Sequence, residues 1–235
     1  MTASLLKMYE FAAADPQVRF SPHCWKTRMA VAHKGLEAYR IAWRFTDKDE
    51  ISFSGQGFVP VVVHGDQIVS DSWEIAHYLE SRFPNKPSLF GNHESIAVSR
   101  FVNAWADRRL LPKIGRIILI DIYEHIDERD KDYFRSSREK RFGQTLEKAS
   151  ENPFSLLKEL SKELAPLRST LRSQDFIAGS TPKYADYCVF GMFMWARCIS
   201  TTELLAEDNP IFQWRERLLD AFDGMGRNAP TAAAA

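Results

Sequence analysis

The sequence predicts two unlike halves, an α/β domain over residues 1–86 and an all-α domain over residues 93–223. Strand-forming runs and helical periodicities alternate as far as Phe83, and the prolines Pro84 and Pro87 then stop the pattern, since neither can continue a helix. Beyond His93 strand signals almost vanish and apolar residues recur at helical spacing. Length alone allows one large domain or two small ones, and 45% hydrophobic content is ample for a packed core.

Leu5-Leu6-Lys7-Met8-Tyr9-Glu10-Phe11 alternates loosely and reads as a first strand, followed by a polar loop through Asp15-Pro16. Ser21-Pro22 opens a helix with serine as cap and proline at the first helical position. Trp25, Met29, Ala32 and Leu36 line one face, and Gly35 ends it. Ala38 to Phe45 is aromatic and branched enough for a second strand, and the polar Thr46 to Gln56 is a short helix or an irregular loop. Pro60 precedes Val61-Val62-Val63, at the strand position where a missing N–H costs least. Gly65-Asp66 is expected to supply the positive-φ pair of a tight hairpin, Ile68-Val69 to return as its second strand, and Asp71 or Ser72 to cap a helix carrying Ile75, Leu79 and Phe83. The order β-α-β-α-β-β-α is thioredoxin-like.

In the second half Ile96, Phe101 and Trp105, the dense run Ile114 to Ile122, and Leu157, Leu160, Leu164, Leu167 and Leu171 mark successive helices. Arg129 to Lys148 is heavily charged and reads as a solvated helix–helix connection, with no function assigned to it. Tyr184 to Ser200 is apolar nearly all round and should be the buried central helix, with Asp186 accepting backbone N–H bonds at its start. It is shorter than the roughly 20 residues a membrane span needs. Pro210 to Phe222 gives a last amphipathic helix, and residues 224–235 are expected to form a disordered tail.

Basic and acidic residues balance at 31 each, so no global field favours nucleic acid or an anionic membrane. No apolar run is long enough to cross a bilayer, and Met1-Thr2-Ala3-Ser4-Leu5-Leu6-Lys7 lacks the shape of a signal peptide, which gives the expectation of a cytoplasmic protein. Cys24, Cys188 and Cys198 are too few and too odd in number for a disulfide framework and read as reduced thiols. His23, His33 and His77 lack ligand spacing, so no metal is implied.

Val59-Pro60 before a strand and Asp71-Ser72 at the next helix resemble the glutathione-binding half of the glutathione transferases. Ser21-Pro22-His23-Cys24-Trp25, Ala32-His33-Lys34-Gly35-Leu36, Tyr184-Ala185-Asp186-Tyr187 and Val189-Phe190-Gly191 look most like the bacterial β-etherases and their fungal relatives within that superfamily. The resemblance implies a cis Val59–Pro60 bond, glutathione as co-substrate and a hydrophobic small-molecule electrophile, with a β-aryl ether among the candidates. It also implies a detoxification role and a homodimer. Asp71 and Ser72 would hold the γ-glutamyl head, and the Val59 backbone ahead of Pro60 would pair with the cysteinyl unit. Two positions depart from the family: Phe58 stands where many members place the lysine for the glycyl carboxylate, and Lys183 where a serine or threonine usually caps the core helix.

Glutathione chemistry needs a thiolate, and a free thiol has a pKa of about 8.5, so the site must stabilise negative sulfur. Ser21 offers a hydroxyl donor at a helix N-terminus, where free N–H groups and partial positive charge add to it. The plain reading, a cap serving only its own helix, stands beside it. Ser21-Pro22-His23-Cys24 resembles a Cys-Pro-x-Cys motif with its first cysteine replaced, which excludes a dithiol cycle and leaves Cys24 as the second catalytic candidate. A non-catalytic binding or structural protein of the same fold is the alternative function.

Overall fold

A computed structural model describes residues 5–232. The first half is a four-stranded mixed sheet of order β2-β1-β3-β4, built from β1 (Leu6–Phe11), β2 (Ala38–Trp43), β3 (Val61–His64) and β4 (Gln67–Ser70). β1 runs parallel to β2 and antiparallel to β3, and β3 and β4 form a hairpin. Helices α1 (Pro22–His33) and α2 (Ser72–Arg82) complete this unit, and Lys48–Ser54 forms a 3-10 segment. The thioredoxin-like expectation holds, down to the cis Val59–Pro60 bond. The hairpin differs in detail: Gly65 has φ +60° but Asp66 does not share it. A turn that needs positive φ only at its first central position explains this, and the glycine meets that demand without steric cost.

The second half is helical: α3 (His93–Trp105), a π-helical turn at Ala106–Leu110, α4 (Leu111–Ile117), α5 (Leu119–His125), α6 (Glu128–Phe142), α7 (Leu146–Ala149), α8 (Pro153–Glu163), α9 (Ala165–Thr170), α10 (Tyr184–Ile199) and α11 (Pro210–Gly224). As its all-round apolar pattern predicts, α10 is the core helix, with 14 of its residues buried. Lys183 has no acceptor in its ammonium, so only half of a capping box can form there. Asp186 Oδ2 accepts the Lys183 N–H at 3.0 Å. Its Oδ1 takes Ile177 N–H at 2.7 Å and the Trp214 indole N–H at 2.9 Å, tying α11 to the start of α10.

Two long helices hold the halves together, α1 from the first and α10 from the second. A Cβ at Gly191 would lie 2.4 Å from the Pro22 carbonyl oxygen, so only glycine lets α10 pass this close to the start of α1. Beneath α1 the buried Glu10 carboxylate accepts from Arg28 Nε at 3.0 Å and Nη2 at 2.9 Å, a two-pronged pair that leaves neither charge alone in the core. No helix is long and apolar enough to cross a membrane among the described residues.

The expected tail from 224 is corrected as far as residue 232. At the end of α11, Phe222 and Asp223 take φ +54° and +59° and turn the chain back, Arg227 N–H bonds Leu219 C=O at 3.0 Å, and Ala229 and Ala232 pack on the core. Small side chains suit this close return, which is why composition alone read as disorder. Residues 233–235 of that tail, and 1–4 of the expected first domain, lie outside the described residues.

Candidate active site

The start of α1 and the helical half enclose a cavity of about 250 Å³. Phe11, Ser21, His23, Phe45, Phe58 and Val59 line it from the first half, and Leu111, Gly115, Leu119, Phe134, Arg138 and Trp195 from the second. Gly115 leaves room for the wall opposite, because a Cβ there would come 2.8 Å from the Trp195 ring.

Ser21 is the N-cap of α1, and its Oγ accepts the Cys24 N–H at 3.3 Å. Accepting a bond occupies a lone pair and leaves the hydroxyl proton available, with the buried Cys24 sulfur beside it as a weak competing acceptor. The His23 ring lines the cavity and keeps 37% of its side-chain surface exposed. Burial, and after it the Lys26 ammonium, lower its pKa and leave the ring neutral at neutral pH. Lys26 is fully buried, with Nζ donating to Asn103 Oδ1 at 2.8 Å and Asp107 Oδ1 at 2.6 Å, and this network ties α1 to α3 and to the π-helical turn that follows it.

Cys24 is not brought to the cavity, which corrects its candidacy. It is 1% exposed in the core, and burial first, then the Glu10 carboxylate, push its thiol up to about 12. Three residues past the cap, Cys24 lies on the side of α1 that packs into the core. A thiol held there stays protonated at neutral pH.

Val59 lines the cavity beside Ser21, and its N–H and C=O make no backbone hydrogen bond among the described residues. Asp71 caps α2 with φ +72°, a strained setting for a residue with a Cβ. Its Oδ1 takes both capping bonds, from Trp73 N–H at 2.8 Å and Glu74 N–H at 3.3 Å, which leaves Oδ2 unoccupied by backbone. Ser72 is buried next to it, and the Tyr184 hydroxyl donates to the Ser72 carbonyl at 2.6 Å, so α10 braces the start of α2 as well as that of α1.

Sequence reasoning named no basic residue for this end of the sheet. Lys48 now stands there: its Cδ lies 3.9 Å from the position of a Cβ on Gly57, and its ammonium 4.8 Å from the centroid of the Tyr133 ring. Among the described residues no carboxylate pairs with it. Proximity to Phe58 comes from the fold of the 3-10 segment, which sequence left open.

Residues 97–222 match the family model for the glutathione S-transferase C-terminal domain, and residues 20–82 that for the N-terminal domain. The chain belongs to the glutathione S-transferase family. Among its transferase relatives, glutathione transferase omega-1 of Caenorhabditis elegans is 28% identical over 184 residues, 75% of this chain and 60% of that one. Glutathione S-transferase 1 of Dianthus caryophyllus is 33% identical over 89 residues, 36% of this chain and 37% of its own. The chain thus spans less than two thirds of the length of these curated relatives. A crystal structure of a glutathione S-transferase of Ceriporiopsis subvermispora, in complex with glutathione, shares the transferase fold at TM-score 0.83 and 21% identity, covering 93% of this chain and 96% of that one.

Proposed function

We propose that the protein binds glutathione at the cavity end of the sheet and uses its thiolate to attack an apolar electrophile. The observation that carries this is Ser21: a capping hydroxyl with an available proton, on the wall of an aromatic cavity. Its O–H would donate to the sulfur and stabilise the thiolate, while the N-terminus of α1 adds on the order of 0.3–2 kcal/mol. The free Val59 N–H and C=O suit the cysteinyl unit, paired in the manner of an added strand. Asp71 Oδ2 suits the α-ammonium of the γ-glutamyl head, and the Ser72 hydroxyl with the start of α2 its α-carboxylate. Lys48 is the candidate for the glycyl carboxylate that Phe58 cannot hold.

Placement nearest the β-etherases and their fungal relatives rests on Ser21-Pro22-His23-Cys24-Trp25, with the likeness to the Ceriporiopsis subvermispora structure in support. A β-aryl ether, whose aryloxide would leave on thiolate attack, is therefore one electrophile to try. Exposed Val98 and Phe101 on α3, near Arg100, whose guanidinium lies 4.9 Å from the Trp73 ring centroid, support a homodimer through this face. Light scattering should give about twice the 27.0 kDa of one chain, and the single-chain mass would refute the dimer.

Calorimetry tests the ligand. Because each substitution removes a hydrogen-bond partner of the γ-glutamyl head, Asp71→Ala and Ser72→Ala should each weaken glutathione binding, on the order of tenfold. Unchanged affinity in both variants would reject the site. Turnover of halogenated aromatics, hydroperoxides and β-aryl ethers with glutathione tests the chemistry, and no turnover of any would favour the non-catalytic alternative.

A further inference from the structure

One element lining the cavity has no part in the reading above. Phe134, Arg138, Arg141 and Phe142 all reach the cavity from α6, at the spacing of one helical face. The Arg138 guanidinium carbon lies 4.6 Å from the Phe134 ring centroid and 5.2 Å from that of Phe45, and Nη1 donates to Ser137 Oγ at 2.9 Å. Among the described residues no carboxylate oxygen lies within 4.0 Å of Arg138 or Arg141. Arg28 is paired with Glu10, Arg215 with Glu203, and Arg135 on the same helix with Glu139 and Glu147, while Arg116 and Arg197, which also lack a carboxylate, donate to backbone carbonyls away from the cavity. Burial, and after it the neighbouring Arg141, push the Arg138 pKa down to about 10, so its guanidinium remains cationic at neutral pH. Two like charges beside an apolar cavity, without a counter-ion from the chain, leave a place for an anion.

We infer that the molecule taken by this cavity is an aromatic compound bearing an anionic group, a carboxylate or sulfonate, which Arg138 and Arg141 hold while Phe11, Leu119 and Trp195 cover its ring. Guanidinium geometry suits a planar or tetrahedral oxyanion, and the aromatic stacking of Arg138 pre-sets its orientation. Calling that molecule a substrate rests on the proposed transferase reading; the anion site itself does not.

The test uses two fluorescent probes that differ by one group, anilinonaphthalene sulfonate and phenylnaphthylamine, titrated into the whole protein without glutathione. Wild type should prefer the sulfonate, Arg138→Met should weaken it about tenfold or more while leaving the neutral probe unchanged, and Arg138→Lys should keep part of the preference. Arg141→Met, at an exposed position that does not threaten folding, should lose part of it too. Equal affinity of wild type for the two probes, or equal loss of both in the arginine variants, overturns the inference. Glutathione affinity should be unchanged in Arg138→Met; a fall there with the probe preference intact would give the arginines to the glycyl carboxylate and also overturn it. With glutathione added, chlorodinitrobenzoate should be turned over at least tenfold more efficiently than chlorodinitrobenzene. If neither is turned over but the probes discriminate through Arg138, the transferase reading fails and the anion site stands. If both are turned over equally, the site fails and the transferase reading stands.

Discussion

The two ends of α1 pack on the same partner, α10, and meet it in opposite ways. At the N-terminal end α10 presents Gly191, so the Pro22 backbone comes into close contact and Ser21 is left on the cavity wall with its hydroxyl proton available. At the C-terminal end α10 presents Tyr187, whose hydroxyl lies 2.6 Å from His33 Nδ1, while His33 Nε2 lies 3.0 Å from the Ser88 carbonyl. A carbonyl can only accept, so Nε2 carries the proton, and the neutral ring takes the Tyr187 proton on Nδ1. Every polar atom of that contact is engaged. Unsatisfied capacity at one end and full satisfaction at the other separate the group offered to a ligand from the group that holds the fold.

The largest effect should come from closing the gap at Gly191. Gly191→Leu forces α10 away from α1 and should cost about 3 kcal/mol or more, read as a lower urea midpoint, with glutathione binding impaired as well. A variant of wild-type stability would show that the close approach is not what sets Ser21 in place.

Acid should act at both ends, since His23 and His33 are each pushed down to about 4, and the His33 share can be separated by substitution. Burial, and after it the Lys183 ammonium, push the His33 pKa down to about 4, against about 6.5 in the unfolded chain. Between these values the unfolded chain binds the extra proton, so this contribution is complete above about pH 6.5 and is lost as the pH falls towards 4. With partial exposure discounted, the loss should be on the order of 2 kcal/mol, and His33→Gln should flatten that part of the stability curve. An unchanged slope would remove His33 from the account. Smaller still, Tyr187→Phe leaves Nδ1 without its donor and should cost about 1 kcal/mol with glutathione affinity unaltered. A matching loss of glutathione binding would erase the distinction between the ends.

Much of the site was legible because its determinants are local. A Ser-Pro helix start, a proline ahead of a valine strand and an Asp-Ser cap each restrict φ or satisfy an N–H within a few residues. Inward or outward direction was less legible: Cys24 follows Ser21 by three residues yet lies in the core, and that depends on what α1 rests upon. The charged run over α6 hid Arg138 for the same reason, since composition marks a helix as solvated without saying which face meets another element. Its only local sign was the placing of Phe134 and Phe142 one turn to either side of Arg138. Lys48 was hidden by an irregular segment whose path only the fold supplies.

The central claim, that Ser21 and not Cys24 stabilises the glutathione thiolate, is tested most directly by titrating the ultraviolet absorbance of the bound thiolate in wild type, Ser21→Ala and Cys24→Ala. The account predicts a wild-type pKa below the roughly 8.5 of a free thiol. It further predicts a clear rise in Ser21→Ala and no change in Cys24→Ala. A titration unmoved by Ser21→Ala, or displaced by Cys24→Ala instead, would contradict it.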